Sequence, residues 1–121
     1  MTQAAVLASN ASLMTTPSGT APSFLSRAWV NFNGTGTVAI RASGNVSSIT
    51  DGGTGDYTVN FTTAMPDGNY AISGGGRSPG SQSGAALQFD VYNAASIRFY
   101  TRGTTTGPEV DLSIITVAIF R

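Results

Sequence analysis

The side chains of this chain that could carry chemistry are six carboxylates and six arginines. The sequence has no histidine and no cysteine, so it lacks the commonest general base and the thiolate ligands of metal sites. A glycosidase needs two carboxylates at a set separation, one of them desolvated, and this spacing indicates no such pair. The sequence therefore predicts a protein that is not an enzyme. The carboxylates are Asp51, Asp56, Asp67, Asp90, Glu109 and Asp111.

Glycine-rich segments around these carboxylates are typical of turns. Asp51, Asp56 and Asp67 stand beside or near glycines, where an Asp side chain bonds its own backbone. The segment 51–56 lacks the alternating ligands and the distal Glu of an EF-hand loop. The glycines at 74–76 are not followed by Lys-Ser/Thr or a helix, so they do not form a phosphate loop. We expect no cofactor and no metal site.

Charge is scarce along the whole chain. Only 10% of the residues are charged, and the formal net charge is zero. No basic patch predicts a nucleic-acid partner, and no apolar run approaches the roughly 20 residues of a membrane-spanning helix. The first residues lack the basic and apolar regions of a secretory signal, so we expect synthesis in a bacterial cytoplasm. All the cations are arginine, which tolerates protein interfaces better than lysine and favours subunit contacts.

The chain divides into two regions of different character. Residues 1–26 are rich in Ala, Ser, Thr and Pro and predict an extended arm, which docks on other proteins through residues 1–25. A disordered tail is the alternative that composition leaves open. Residues 27–121 alternate short apolar segments with Gly-rich turns, a pattern that predicts one small antiparallel β-sandwich and an all-β fold.

The clearest period-two signal lies at Tyr57, Val59 and Phe61. It is followed by the turn sequence 65–68, after which alternation resumes at Tyr70, so we expect a hairpin over 56–74. A second hairpin is predicted over 87–102. For its two apolar rows to face one core, its loop must contain three or five residues, because a one-residue slip moves every side chain to the other face.

The outer face of that second hairpin is a candidate binding surface. Aromatic and arginine side chains together are typical of sugar-stacking sites and of protein hot spots, although Tyr is also a good strand former. In the three-residue version of the loop, Asp90 lies opposite Arg98. Arg77 opens a segment, 77–84, that we expect to be an exposed loop. The candidate residues are Arg77, Tyr92, Arg98, Tyr100 and Arg102.

The last predicted strand, 110–120, is apolar on both faces in its second half. Ile115, Val117 and Ile119 occupy one face, opposite Ala118 and Phe120. A strand with two apolar faces needs cover on both sides, and a two-layer sandwich covers one. We therefore predict a trimer interface at Ile115, Val117 and Ile119. A strand central to the monomer is the alternative.

Three blocks of sequence occur in an order that resembles a known module. They are Ala28–Gly36 (AWVNFNGTG), Gly55–Asp67 (GDYTVNFTTAMPD) and Asn69–Ala71 (NYA). Together they resemble a module of bacteriophage tail fibre and related virion proteins, including those of cyanophages. The resemblance covers about residues 27–121. It implies a small antiparallel β-sandwich, usually trimeric, similar in outline to H-type lectin folds. The matching residues are scaffold residues and imply no ligand site.

The resemblance implies a virion structural protein that assembles in the bacterial host and resides in the phage particle. One expectation is a homotrimeric tail fibre or baseplate β-sandwich, with host-surface glycan as a further candidate partner. The alternative is a trimeric capsid decoration protein that stabilises the head through its N-terminal arm. Fibres carry this module after a long shaft, whereas 26 residues precede it here, so tail and capsid locations are both open.

Overall fold

The computed structural model of this protein describes residues 13–16, 19–22, 25–78 and 85–121. The described residues contain strands and turns and no helix, which confirms the all-β prediction. The strands are β1 Leu13–Thr16, β2 Gly19–Pro22, β3 Ala28–Asn33, β4 Ala39–Gly44, β5 Val46–Gly53, β6 Asp56–Phe61, β7 Ala71–Arg77, β8 Ala86–Asn93, β9 Ser96–Arg102 and β10 Ile114–Phe120.

Eight of these strands form a sandwich of two four-stranded sheets. The first sheet has the order β4-β3-β10-β7, and the second has the order β5-β6-β9-β8. Every pairing within them is antiparallel. The predicted antiparallel β-sandwich is thus confirmed.

The N-terminal arm contains regular structure. β1 and β2 form a two-stranded antiparallel sheet of their own, in which Leu13 pairs with Pro22. Residues 1–12 lie outside the described part of the chain. The arm joins the sandwich at Arg27, whose backbone N–H donates to the carbonyl of Ile119 at 2.6 Å.

The core lies between the two sheets and is supplied by the inward side chains of both. Along β6, Tyr57, Val59 and Phe61 are buried, while the residues between them are half-buried. Phe32 packs edge to face against Tyr57, with ring centroids 5.3 Å apart. Each such buried side chain contributes roughly 1.5–3 kcal/mol to folding. The buried apolar residues are Ala28, Val30, Phe32, Tyr57, Val59, Phe61, Met65, Tyr70, Ile97, Phe99, Leu112, Ile115, Val117 and Ile119.

The inward side chains of β10 belong to the core of a single chain. β10 pairs with β3 on one side and with β7 on the other. Ile115, Val117 and Ile119 are 0%, 3% and 1% exposed. Because they already face the second sheet, they are not accessible to another subunit. The prediction of a trimer interface at these three residues is wrong, and the alternative of a central strand describes them correctly.

A bend before β10 explains why the sequence pattern was misleading. β10 begins at Ile114, and the chain bends at Ser113 rather than continuing as a strand from residue 110. Leu112 and Ile115 are three positions apart, yet both are fully buried. In an uninterrupted strand an odd separation would place them on opposite faces. The bend at Ser113 therefore changes which alternate residues face the core. Leu112 before the bend and Ile115 after it are parts of the same core.

The predicted hairpin over 56–74 is also wrong. β6 lies in the second sheet and β7 in the first, so residues 62–70 pass from one sheet to the other. This connection is anchored by the buried side chain of Met65, whose backbone N–H donates to the carbonyl of Ala94 at 2.7 Å. A hairpin and a crossing between packed sheets both direct alternate residues into one core. Alternation alone does not distinguish them.

The turn between β8 and β9 consists of residues 94–95, not of three or five residues as predicted. As a result Val91, and not Asp90, lies opposite Arg98. The register shifts between Phe89 and Val91, and this β-bulge returns Phe89 to the core side of the sheet. The bulge supplies the extra residue that we had assigned to the loop.

One residue, Asn45, connects the two sheets between β4 and β5. It has a φ of 55°, in the left-handed region that Asn tolerates better than most residues. Its side chain donates to the carbonyls of Arg27 and Thr63, each at 3.0 Å, and accepts from the Thr63 N–H at 2.7 Å. These contacts fix the corner against the start of β3 and the segment that follows β6.

Candidate functional site

The residues predicted as a surface binding site lie in three separate places. Arg98, Tyr100 and Arg102 alternate along β9 with buried residues, so they share the outer face of the second sheet. Arg77 ends β7 and pairs with the exposed Ile114, which places it on the outer face of the first sheet, across the sandwich from the other three. Arg77 begins the predicted loop 77–84, of which residues 79–84 lie outside the described chain.

Tyr92 is separated from the other candidates by the β-bulge. It pairs with the buried Ile97, and its ring centroid lies 5.6 Å from that of Tyr70. Burial, and secondarily the nearby Tyr92, raises the pKa of Tyr70 to about 12. Tyr92 therefore closes one end of the core and does not join a binding cluster with Arg98.

The arginine at the centre of the predicted cluster is held by its own sheet. Arg98 Nε and Nη2 donate to the two carboxylate oxygens of Asp56 at 3.0 and 2.7 Å. Its guanidinium carbon also lies 5.1 Å from the ring centroid of Tyr100. Hydrogen bonding to Arg98 lowers the pKa of Asp56, against an opposing effect of burial. A bidentate pair of this kind is a strong charge-assisted contact, so this group already has its counter-ion.

Polar side chains on the rest of this outer face also bond one another. Asn60 donates to Ser48 Oγ at 3.1 Å and to Thr50 Oγ1 at 2.9 Å. Arg102 Nη2 donates to Glu109 Oε1 at 2.9 Å. Several polar side chains of this outer face thus bond one another. On the same face, Arg102 Nε is buried without a hydrogen-bond partner among the residues that the structure describes, and Val91, opposite Arg98, is 39% exposed.

The outer face of the first sheet has a different character. Its central strands, β3 and β10, direct three large apolar side chains outward: Trp29, Ile114 and Phe120 are 44%, 37% and 37% exposed. Thr116 and Ala118 lie between Ile114 and Phe120 along β10. We call these five residues the apolar face. They alternate with the core residues of the same strands, so the backbone that positions the core also positions this surface.

A shallow groove of about 370 Å³ runs across the apolar face. None of its lining residues is charged, and β7 contributes only Ser73 and Gly74 to it. Small residues on β7 therefore leave the indole of Trp29 exposed along one side of the groove. The lining is Trp29, Val30, Asn31, Ser73, Gly74, Thr116, Val117 and Ala118.

The position of Trp29 depends on its cross-strand neighbour, Gly44. The two residues are paired between β3 and β4, and a Cβ at Gly44 would clash with the indole Nε1. The indole thus lies over the backbone of the edge strand. Sequence alternation placed Trp29 outward, between the buried Ala28 and Val30, but we read it as scaffold. The signal that was missed is that the only tryptophan of the chain occupies an outward position.

Arginines lie at both ends of the apolar face. Near Ile114, Arg41 Nη2 donates to the carbonyl of Ser113 at 2.6 Å. Beyond Phe120, Arg121 makes a two-point contact with Asp67, with distances of 3.1 and 2.9 Å. Hydrogen bonding to Arg121 is the main cause that lowers the pKa of Asp67 to about 2. The face therefore has an uncharged centre between charged ends.

The hydroxyl of the buried Tyr57 makes polar contacts at one end of the sandwich, one of them a buried contact of 2.9 Å with the carbonyl of Gly34. The Tyr57 hydroxyl donates to Asp111 Oδ1 at 2.7 Å, and the Gly55 N–H donates to the same oxygen at 2.8 Å. Burial, followed by this carboxylate, raises the pKa of Tyr57. The contact ties β6 to the segment before β10 at one end of the sandwich. A proton held more firmly than usual does not suit an acid or base near neutral pH.

Comparison with known proteins adds no identity. No protein-family model, no curated protein and no solved structure matches the chain. Among the residues that the structure describes, no three acidic, histidine or cysteine side chains come together as a metal site. The described part of the chain contains no helix with the length and apolar character needed to span a membrane. The apolar face is the remaining candidate site.

Proposed function

We propose that this chain is a structural protein of a bacteriophage particle, a trimeric β-sandwich of the tail fibre or baseplate that works by assembly. The observation that carries the proposal is the apolar face, where Trp29, Ile114 and Phe120 are exposed on one sheet. Large exposed apolar side chains that share one face of a protein with so little charge favour an interaction site. The resemblance of residues 28–71 to tail fibre modules supports the virion role and the trimeric state.

The apolar face replaces the interface that the sequence predicted. It lies on the same strand, β10, but uses Ile114 and Phe120 on the outer side instead of the buried residues between them. Its uncharged centre can be desolvated without the penalty of burying an ion. Threefold packing would bring each apolar face against a neighbouring copy.

The alternative is a capsid decoration protein that attaches through its N-terminal arm. The observation that favours it is the arm itself, since residues 1–26 contain no charged side chain and are suited to burial against another protein. Attachment to empty capsids by the full chain, lost when residues 1–24 are removed, would support this alternative.

The test of the main proposal is the solution mass of the full chain, measured by sedimentation equilibrium over a range of concentrations. We expect a trimer of the 12.4 kDa chain, and a shift towards monomer in the variant Ile114→Thr/Phe120→Thr. The matched control is Val91→Thr/Tyr100→Thr on the outer face of the second sheet, which should leave the trimer intact. A monomeric wild-type chain would overturn the proposal.

A further inference from the structure

The groove on the apolar face needs an occupant that is uncharged, and the chain itself contains one. Residues 1–26 include no Asp, Glu, Lys or Arg. Within them, residues 4–8 form an unbroken apolar run of small and medium side chains, AAVLA. The groove is likewise lined without a charged residue. Neither surface would lose an ion's hydration when they meet, so the two are electrostatically matched.

The arm joins the sandwich beside this groove. The Arg27 N–H donates to the carbonyl of Ile119, and the adjoining residues Trp29 and Ala118 line the groove. The β1–β2 hairpin then returns the chain, because Leu13 pairs with Pro22. Leu13 is therefore a neighbour of Pro22, and four residues, 23–26, separate Pro22 from Arg27.

The length of the segment 1–12 is sufficient to cover the face. Twelve extended residues reach about 40 Å. The seven residues of β10 span roughly 23 Å. An isolated two-stranded hairpin is also marginally stable in water, so the β1–β2 hairpin needs packing from elsewhere. Docking of the segment that precedes it would supply such an anchor.

We propose that residues 1–12 of one copy lie along the groove on the apolar face of a neighbouring copy, with the apolar run 4–8 against Trp29 and Ala118. This inference rests on the proposed assembly through the apolar face. Since the proposed assembly covers this face with a neighbouring copy, the segment that fills the groove comes from that copy, and the contact between arm and groove joins the subunits. The arm is then an interlocking element of the trimer.

The chain contains no cysteine, so an engineered pair can test the contact without a competing thiol. In the full-length variant Leu7→Cys/Thr116→Cys, we expect mild oxidation to give covalent dimers and trimers on a non-reducing gel. The matched control Leu7→Cys/Thr58→Cys places the second thiol on the outer face of the second sheet and should remain a single chain.

The outcomes separate the two proposals. A trimer in solution whose pair does not cross-link between chains would overturn the arm inference and leave the proposed function standing. A disulfide within one chain would overturn it as well, since the segment would then cover its own groove. A monomeric full chain would overturn both.

Trp29 is the only tryptophan and reports directly on the groove. In the full chain, Leu7→Asp should shift its fluorescence emission to longer wavelength and raise the concentration for half-association by about tenfold or more, since a buried leucine side chain is lost. Thr2→Asp, outside the apolar run, is the control and should change neither. Unchanged emission and association in Leu7→Asp would contradict the docking of residues 4–8.

Discussion

On both outer faces of the sandwich, every second residue of a strand points away from the core. The two faces differ in the contacts that these outward side chains make. On the second sheet, Arg98 is paired with Asp56, and Asn60 bonds its neighbours across the strands.

On the first sheet, Trp29 and Phe120 project outward, and the polar side chains of the groove make two bonds of 3.3 Å within the described chain, from Arg41 to Asn31 Oδ1 and from Thr116 Oγ1 to the carbonyl of Gly75. The arginines of the second face have partners within the monomer, whereas the exposed aromatic side chains of the first are suited to contact with another chain.

This difference shows why the inner face of a strand and its outer face must be judged separately. Ile115 is fully buried and Ile114 is 37% exposed, although they are adjacent residues of the same type on β10. The first contributes to the fold of one chain. The second is available for contact with another copy. The comparison between the two faces can therefore be tested with small, matched substitutions.

The largest effect is expected at the inner side of β10. Ile115→Ala should lower the free energy of unfolding by about 2–4 kcal/mol, because it leaves a cavity between the sheets. Ile114→Ala should change the same quantity by no more than about 0.5 kcal/mol and instead weaken association. Urea denaturation followed by circular dichroism, at concentrations where the chain is monomeric, measures both. Equal destabilisation by the two variants would contradict the assignment of faces.

The next effect concerns the hydrogen bond that closes one end of the sandwich. Tyr57→Phe removes the hydroxyl that donates to Asp111, leaving that carboxylate with one fewer donor. We expect a loss of about 1–3 kcal/mol in the free energy of unfolding. Since the contact belongs to the core and not to either outer face, the trimer mass should stay unchanged under folding conditions. A variant that folds normally but dissociates would indicate that this end of the sandwich takes part in the interface.

Sequence periodicity predicted the inward residues where the strands are regular. Tyr57, Val59 and Phe61 are buried as expected, since an uninterrupted strand places every second residue on one face. The prediction failed where the backbone changes phase, at Ser113 before β10 and at the bulge between Phe89 and Val91. Both irregularities depend on tertiary packing, and the side-chain pattern carries no mark of them.

The candidate site was predicted less well than the fold, for a related reason. Alternation tells which residues share a face, but it does not tell which sheet covers that face. Ile115 and Ile114 are equally apolar in sequence, and only the position of the second sheet decides which one is core. Likewise, Arg98 was expected near Asp90, whereas its partner is Asp56 on the neighbouring strand β6. Both results depend on which strands are neighbours in the sheets and on which face the other sheet covers, and the alternation of residues does not reveal either.

A smaller effect is expected from the polar outer face. Replacing both partners of the ion pair, in Asp56→Asn/Arg98→Met, should lower the free energy of unfolding less than Tyr57→Phe does, because the pair lies partly in solvent. Association should be unaffected. A loss of trimer in this double variant would show that the second face, not the first, carries the contact, and would reverse the comparison between them.

The smallest effect is a pH dependence at the end of the apolar face. The pKa of Asp67 is lowered to about 2 from an ordinary value of 3.8, chiefly by its hydrogen bond to Arg121. A carboxyl whose pKa is lower in the folded state stabilises the fold above the unfolded value, and that contribution disappears as the pH falls from about 4 towards 2. In Asp67→Asn the free energy of unfolding should therefore fall less steeply over this pH range than in the wild-type chain. Urea denaturation at a series of pH values measures it.

Because the pair of Asp67 and Arg121 is exposed, its contribution is screened by solvent and salt. The fall in the free energy of unfolding that this pair causes at acid pH should be smaller when the measurement is repeated at high ionic strength. Asp56→Asn provides the control, since it leaves Asp67 in place. It should keep the loss of stability at acid pH that Asp67→Asn removes. If Asp67→Asn changes the trimer mass as well as the stability at acid pH, the charged end beyond Phe120 belongs to the subunit contact, and the apolar face extends further than its five defining residues.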